Sequence, residues 1–116
     1  MSAAPPLLTR ESILNTTPPI ERVPCPEWDG DVFVKKLTAV EFHAWASVRP
    51  DGETDHGRLM RLLTYAVCDD AGRPLFSPAD ADALAHRDCR VVDRLVDVAF
   101  RLKGLGAKAA EETVNN

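Results

Sequence analysis

The sequence predicts a mainly α fold with a small N-terminal β-hairpin, an α+β arrangement built as a single helical domain of three to four helices. Three observations carry this reading. Ile20, Val23, Trp28, Val32, Phe33 and Val34 are β-branched or aromatic and flank Asp29-Gly30, a strong hairpin turn pair. From Thr38 onward apolar residues recur at three- and four-residue intervals, the period of a helix face. A chain of 116 residues suits one domain. At that size roughly 60–70% of the unfolded surface is buried, enough for one modest core.

Taken in order, residues 1–12 read as a flexible leader, small and proline-bearing, and 13–106 as the globular domain. Thr9 caps a short helical turn in "TRESILN", which Pro18-Pro19 stops. The hairpin occupies about 20–37, with strands near 20–28 and 31–37; Pro24 and Pro26 cannot donate to a ladder, so the first strand belongs at an edge or carries a break. Thr38 and Glu41 form a capping box that opens a helix over about 39–49, with Val40, Ala44 and Val48 as its apolar stripe and Trp45 beside them. Pro50 and Gly52 end it.

A second helix, about 55–68, carries Leu59, Leu62, Leu63, Ala66 and Val67 on one face and Arg58 and Arg61 on the other. A third covers about 78–85. A fourth covers about 88–103, where Val91 or Val92, Leu95, Val96, Ala99 and Leu102 face inward while Arg90, Asp93, Arg94, Asp97 and Arg101 stay wet and offset one another along the helix. Gly104 fits a C′ position, and 107–116 reads as a frayed polar tail.

Composition excludes several classes of function. The 14 basic and 18 acidic residues leave a net charge of −4, the wrong sign for a nucleic-acid partner. No apolar run approaches the ~20 residues of a membrane helix, and "MSAAPPLL" lacks the parts of a signal peptide. Three dispersed cysteines, without a CxxC, fit reduced cytosolic thiols.

The acidic stretch "VCDDAGRPLFSPADADAL" invites a metal reading, but the EF-hand register fails. With Gly72 at position 6, position 5 is Ala71 and the closing Glu is Pro78. Turn and cap chemistry explains it instead. Asp69 to Gly72 make a tight turn, Leu75-Phe76 staple onto Ala81 or Leu84, and Ser77, Pro78 and Asp80 start a helix. His86, Cys89 and Cys68 fall short of a zinc set, and no cysteine or serine carries a nucleophile signature. No glycine loop cradles a phosphate. The expectation is therefore no catalytic residue, no metal and no cofactor.

The large aromatics remain. Trp28, Phe33 and Trp45 are the apolar groups least needed by the helical stripes. Each is either core or an anchor for a protein partner, since aromatics concentrate in binding hot spots.

The succession "VPCPEWDGDVFVKKLT", "VCDDAGRPLFSPADADAL" and "VDRLVDVAFRLKGLG" resembles the tail assembly chaperones of long-tailed (siphovirus-type) phages and prophages, over about residues 13–106. It departs at Cys25, an extra residue between Pro24 and Pro26 that leaves the strand register open. The resemblance implies a protein that is no enzyme and uses no cofactor. It implies binding to the long helical tape measure protein, which stays soluble until the major tail protein polymerises around it. Self-association and a longer frameshifted form belong to the same expectation, as do residence in the bacterial host cytoplasm and absence from the mature virion. Two other readings stay open: a small structural head–tail or tail component of a phage, and a cytosolic protein-binding adaptor.

Overall fold

The computed structural model describes residues 4–103. The expected tail at 107–116 and the proposed C′ role of Gly104 lie outside the described residues. The elements run α1 (Arg10–Leu14), β1 (Ile20–Cys25), a 3-10 turn (Pro26–Trp28), β2 (Gly30–Lys35), α2 (Ala39–Ser47), α3 (Asp55–Ala66), β3 (Val67–Cys68), a second 3-10 turn (Pro78–Asp80), α4 (Ala81–Ala85) and α5 (Cys89–Lys103). The mainly helical α+β class is as expected. The sheet, however, has three antiparallel strands in the order β1-β2-β3, so the hairpin is not alone.

Five helices are described because the Thr9-capped turn is a helix in its own right. Thr9 and Ser12 close a reciprocal capping box, yet α1 buries no residue. It straddles the expected boundary between leader and domain.

β1 is the edge strand, as its prolines require. Its register with β2 pairs Val23 with Val32 and Cys25 with Gly30, so Cys25 closes the ladder rather than displacing it. The turn differs from the expected Asp29-Gly30 pair. Pro26 to Trp28 make one 3-10 turn, and Asp29, not Gly30, takes the left-handed conformation at φ 57°. A short polar side chain tolerates that region where β-branched residues do not.

Thr38 and Glu41 form the capping box of α2, with the Glu41 carboxylate accepting from the Thr38 N–H at 2.9 Å. The same carboxylate accepts from buried Lys35 at 2.7 Å. Burial pushes the Glu41 carboxyl up, but the bonds from Lys35 and Thr38 outweigh it and hold it below its usual value. The helix stops at Ser47, because Arg49 precedes a proline and is pushed out of helical conformation.

The buried face of α2 is not the expected stripe. Val40 and Val48 are 76% and 62% exposed, whereas Trp45 is 7% exposed, with Phe42 and Ala46 packed beside it. The Trp45 indole N–H donates to the Arg58 carbonyl at 2.9 Å, and the Arg58 guanidinium lies over the ring at 4.7 Å. Lys103 caps the neighbouring Phe42 ring in the same way, 3.4 Å from its centre.

α3 runs through the middle of the molecule. Met60, Leu62, Leu63, Thr64 and Ala66 are buried on every side of it, as a helix touching α2, α4, α5 and β3 must be. Arg61, expected on the wet side, is buried too. It donates to both oxygens of Glu53 at 2.7 and 3.1 Å and to the Trp45 carbonyl at 3.1 Å. Each partner lowers the cost of burying the other: Arg61 holds the Glu53 carboxyl below its usual value, and Glu53 raises the Arg61 guanidinium.

The chain then leaves the helix two residues earlier than expected. Val67 and Cys68 pair with Val34 and Phe33 of β2. The acidic stretch begins as the other arm of this small ladder: Cys68 bridges Pro74, and the Leu75 N–H donates to the Val67 carbonyl at 3.1 Å. Between them the Asp69 carboxylate accepts from the Ala71 and Arg73 amides, both at 2.9 Å, while Gly72 turns the chain at φ +83°. The Arg73 amide leads, with Ala71, in holding the Asp69 carboxyl below its usual range. The turn-and-cap reading thus holds, with one change. Phe76 packs on the core, but Leu75 is 56% exposed and staples nothing.

α5 buries Val91, Val92, Leu95, Val96, Val98 and Ala99. The burial of each valine and leucine among them contributes roughly 1.5–3 kcal/mol. Two arginines of its outer face do not pair along the helix as expected. Arg94 and Arg101 reach back to Glu27 and Glu21, bolting α5 across the hairpin. No helix among the described residues is long and apolar enough to cross a membrane.

Candidate functional site

An open groove of about 580 Å³ lies between the hairpin turn and α4, lined by Trp28, Phe76, Asp80, Ala83, Leu84 and Arg87. Local sequence explains each wall. Pro26 begins a 3-10 turn in which its missing N–H costs nothing, and that turn lifts Trp28 off the end of β1, where it stays 38% exposed. Phe76 sits one residue before the Ser77 cap and packs against the core. Asp80 closes that cap, its carboxylate accepting from the Ser77 N–H at 2.9 Å. Ala83 and Leu84 belong to α4, and Arg87 follows the His86 C-cap.

The turn is held rigidly. Arg94 donates to both Glu27 oxygens at 2.9 and 2.8 Å and to the Pro24 carbonyl at 3.2 Å. This fork holds the Glu27 carboxyl down to about 2 and raises the Arg94 guanidinium. Directly beneath, Cys25 is fully buried, and burial pushes its thiol up.

The fork makes stability pH-dependent with a definite sign. The Glu27 value falls from 4.5 to about 2 on folding, so its contribution is complete above pH 4.5 and is lost as pH drops toward 2. Glu27→Gln should therefore flatten the acid limb of a stability-against-pH curve in that window. A variant curve parallel to the parent's there would show that the fork does not form in solution.

Of the three aromatics singled out from the sequence, Trp28 alone lines this groove. Phe33 is half-buried on β2, opposite Arg22, whose guanidinium lies 5.5 Å from its ring centre. Trp45 is in the core. The structure therefore does not bring the three together. Phe76, Leu84 and Arg87 were not foreseen as groove residues. One signal for Phe76 was available, since a staple needs one apolar residue before the cap and the sequence has two.

A second cavity, of about 440 Å³, lies between the 50–57 loop and the start of α4. Its charged floor is the Glu53–Arg61 pair, already satisfied internally. Among the described residues no three His, Cys, Asp or Glu side chains converge as a metal set would.

No protein-family model matches this chain, and no curated protein matches it. Among solved structures it is similar to the bacteriophage HK97 tail assembly chaperone, with 20% sequence identity and a TM-score of 0.59 over 79% of this chain and 90% of that one. The chain shares the fold of that tail assembly chaperone.

Proposed function

We propose that this protein is a phage tail assembly chaperone that binds the tape measure protein and keeps it soluble until the tail tube polymerises. The observation that carries the reading is the exposed apolar groove around Trp28, on a fold shared with a tail assembly chaperone. A preformed concave surface with an aromatic anchor suits a long helical client, whose apolar stripe needs cover before its final partner arrives. The acidic balance of −4 keeps such a chaperone soluble while it presents that surface. The work would be done in the bacterial host cytoplasm, ending when the major tail protein displaces the chaperone.

Co-expression tests this directly. The tape measure protein should shift from pellet to supernatant when this chain is present. Trp28→Ala should abolish the shift while circular dichroism shows the variant still folded, because the residue is 38% exposed and is not part of the buried core cluster. Finding the chain as a stoichiometric part of purified particles would overturn the proposal in favour of a structural tail component.

A further inference from the structure

Trp28 is presented by a turn with little hold of its own. The 3-10 turn Pro26–Trp28 buries none of its residues, and Trp28 stands outside the core cluster. Pro24 and Pro26 have no N–H to give, and the Asp29 N–H closes the turn on the Pro26 carbonyl at 3.1 Å. The hold comes from Arg94, 67 residues along the chain from Glu27. Its guanidinium takes both Glu27 oxygens and the Pro24 carbonyl, so one planar group fixes the backbone on either side of Pro26. Arg94 is itself anchored, because Val91, Leu95 and Val98 of α5 are buried. Across the groove Leu84 is buried in the core, so that wall is fixed by packing. The two walls are therefore held by different means.

Resting on the reading that this groove receives a client, we propose that Arg94, which does not line it, is the residue that positions Trp28 and so sets the spacing of the two walls. An aromatic anchor already in place loses less conformational entropy on binding than one free to swing. The shape of the fork matters more than its charge. A lysine ammonium is a point charge and cannot span a carboxylate and a carbonyl together. Arg101 supplies the comparison within the same helix. It ties α5 to the same strand through Glu21, whose ladder partner is Val34, far from the turn. Of the two ion pairs, the Arg94 pair reaches the turn.

The indole N–H resonances of Trp28 and Trp45 in the isotope-labelled full-length protein test this, with Trp28→Phe telling them apart. Arg94→Ala should shift the Trp28 resonance and lower its heteronuclear NOE, the mark of a ring newly mobile on the fast timescale. Trp45, tied to the Arg58 carbonyl, should keep both values, with circular dichroism confirming a folded chain. Arg94→Lys should behave as Arg94→Ala does. Glu27→Ala should move the same resonance, and adding Arg94→Ala to it should change little more, as for two groups acting through one contact. Should Arg94→Ala fail to fold, Arg94→Lys and Glu27→Ala carry the same comparison. Arg101→Ala should leave Trp28 in place. A parental Trp28 signal in folded Arg94→Ala or Arg94→Lys, or an equal displacement in Arg101→Ala, would overturn the proposal. In co-expression, Arg94→Lys should lose the solubility shift and Arg101→Ala should retain it. The resonances need no tail protein. A displaced Trp28 with an undiminished solubility shift would remove the groove from the chaperone reading and leave the positioning role standing.

Discussion

Trp45→Ala should lower unfolding free energy by about 3–5 kcal/mol, as expected for a buried tryptophan truncated to alanine. The ring is 7% exposed and the indole N–H donates to the Arg58 carbonyl. Truncation opens a cavity between α2 and α3 and removes the ring on which the Arg58 guanidinium rests. A domain of this size has only about 5–15 kcal/mol in total, so the variant should unfold at a much lower urea concentration. Trp45→Phe should recover part of the loss, by refilling volume without the hydrogen bond. Activity in the co-expression assay should fall in step with the folded fraction. A Trp45→Ala protein with parental stability but no client binding would mean that the ring faces the partner and not the core.

Glu53→Ala is the second large effect. It strands the Arg61 guanidinium, whose side chain is 6% exposed, with the Trp45 carbonyl as its one remaining hydrogen-bond partner from the cluster. Breaking a buried pair from one side costs about 3–5 kcal/mol, because the remaining charge is neither solvated nor matched. Replacing both partners with apolar residues, Glu53→Leu with Arg61→Met, should restore most of the loss, since two desolvated charges disappear together. Urea midpoints for the single and double variants give the comparison. A single variant within about 0.5 kcal/mol of the parent would place the pair in solvent.

Local chemistry made much of the fold legible. The Thr9 cap, the Thr38 capping box, the Asp69–Gly72 turn and the Ser77 start each depend on residues within four positions of one another. The apolar face of α5 followed from spacing, as did the burial of Leu62, Leu63 and Ala66 on α3, though α3 is buried all round. What failed depends on distant partners. α2 carries two apolar stripes, Val40-Ala44-Val48 and Phe42-Trp45-Ala46, and spacing weighs them equally. The second faces inward because only it presents an aromatic ring with an N–H to an α3 carbonyl. Arg61 read as a wet residue because Glu53, its reason for burial, precedes the helix. β3 is two residues long, too short to show a period of two, and exists because β2 offers an unpaired edge. Of the groove, Trp28 was visible as an aromatic beside a turn. Its walls come from a distant part of the chain, so their convergence belongs to tertiary structure.

The bolting of α5 across the hairpin also sets an order of events in time. Residues 20–35 are synthesised before α5, an isolated two-stranded ribbon is marginal in water, and its counterions on Arg94 and Arg101 lie 67 and 80 residues further along the chain than their partners. The Trp28 turn therefore waits for α5 before it is fixed, so the groove it lines is completed only once that helix has been made. A chain stopped before α5 should show no protection of the β1–β2 amides in hydrogen exchange, and the full chain should protect them. The groove is not presented half-made: the synthesis of α5 sets when it first becomes available.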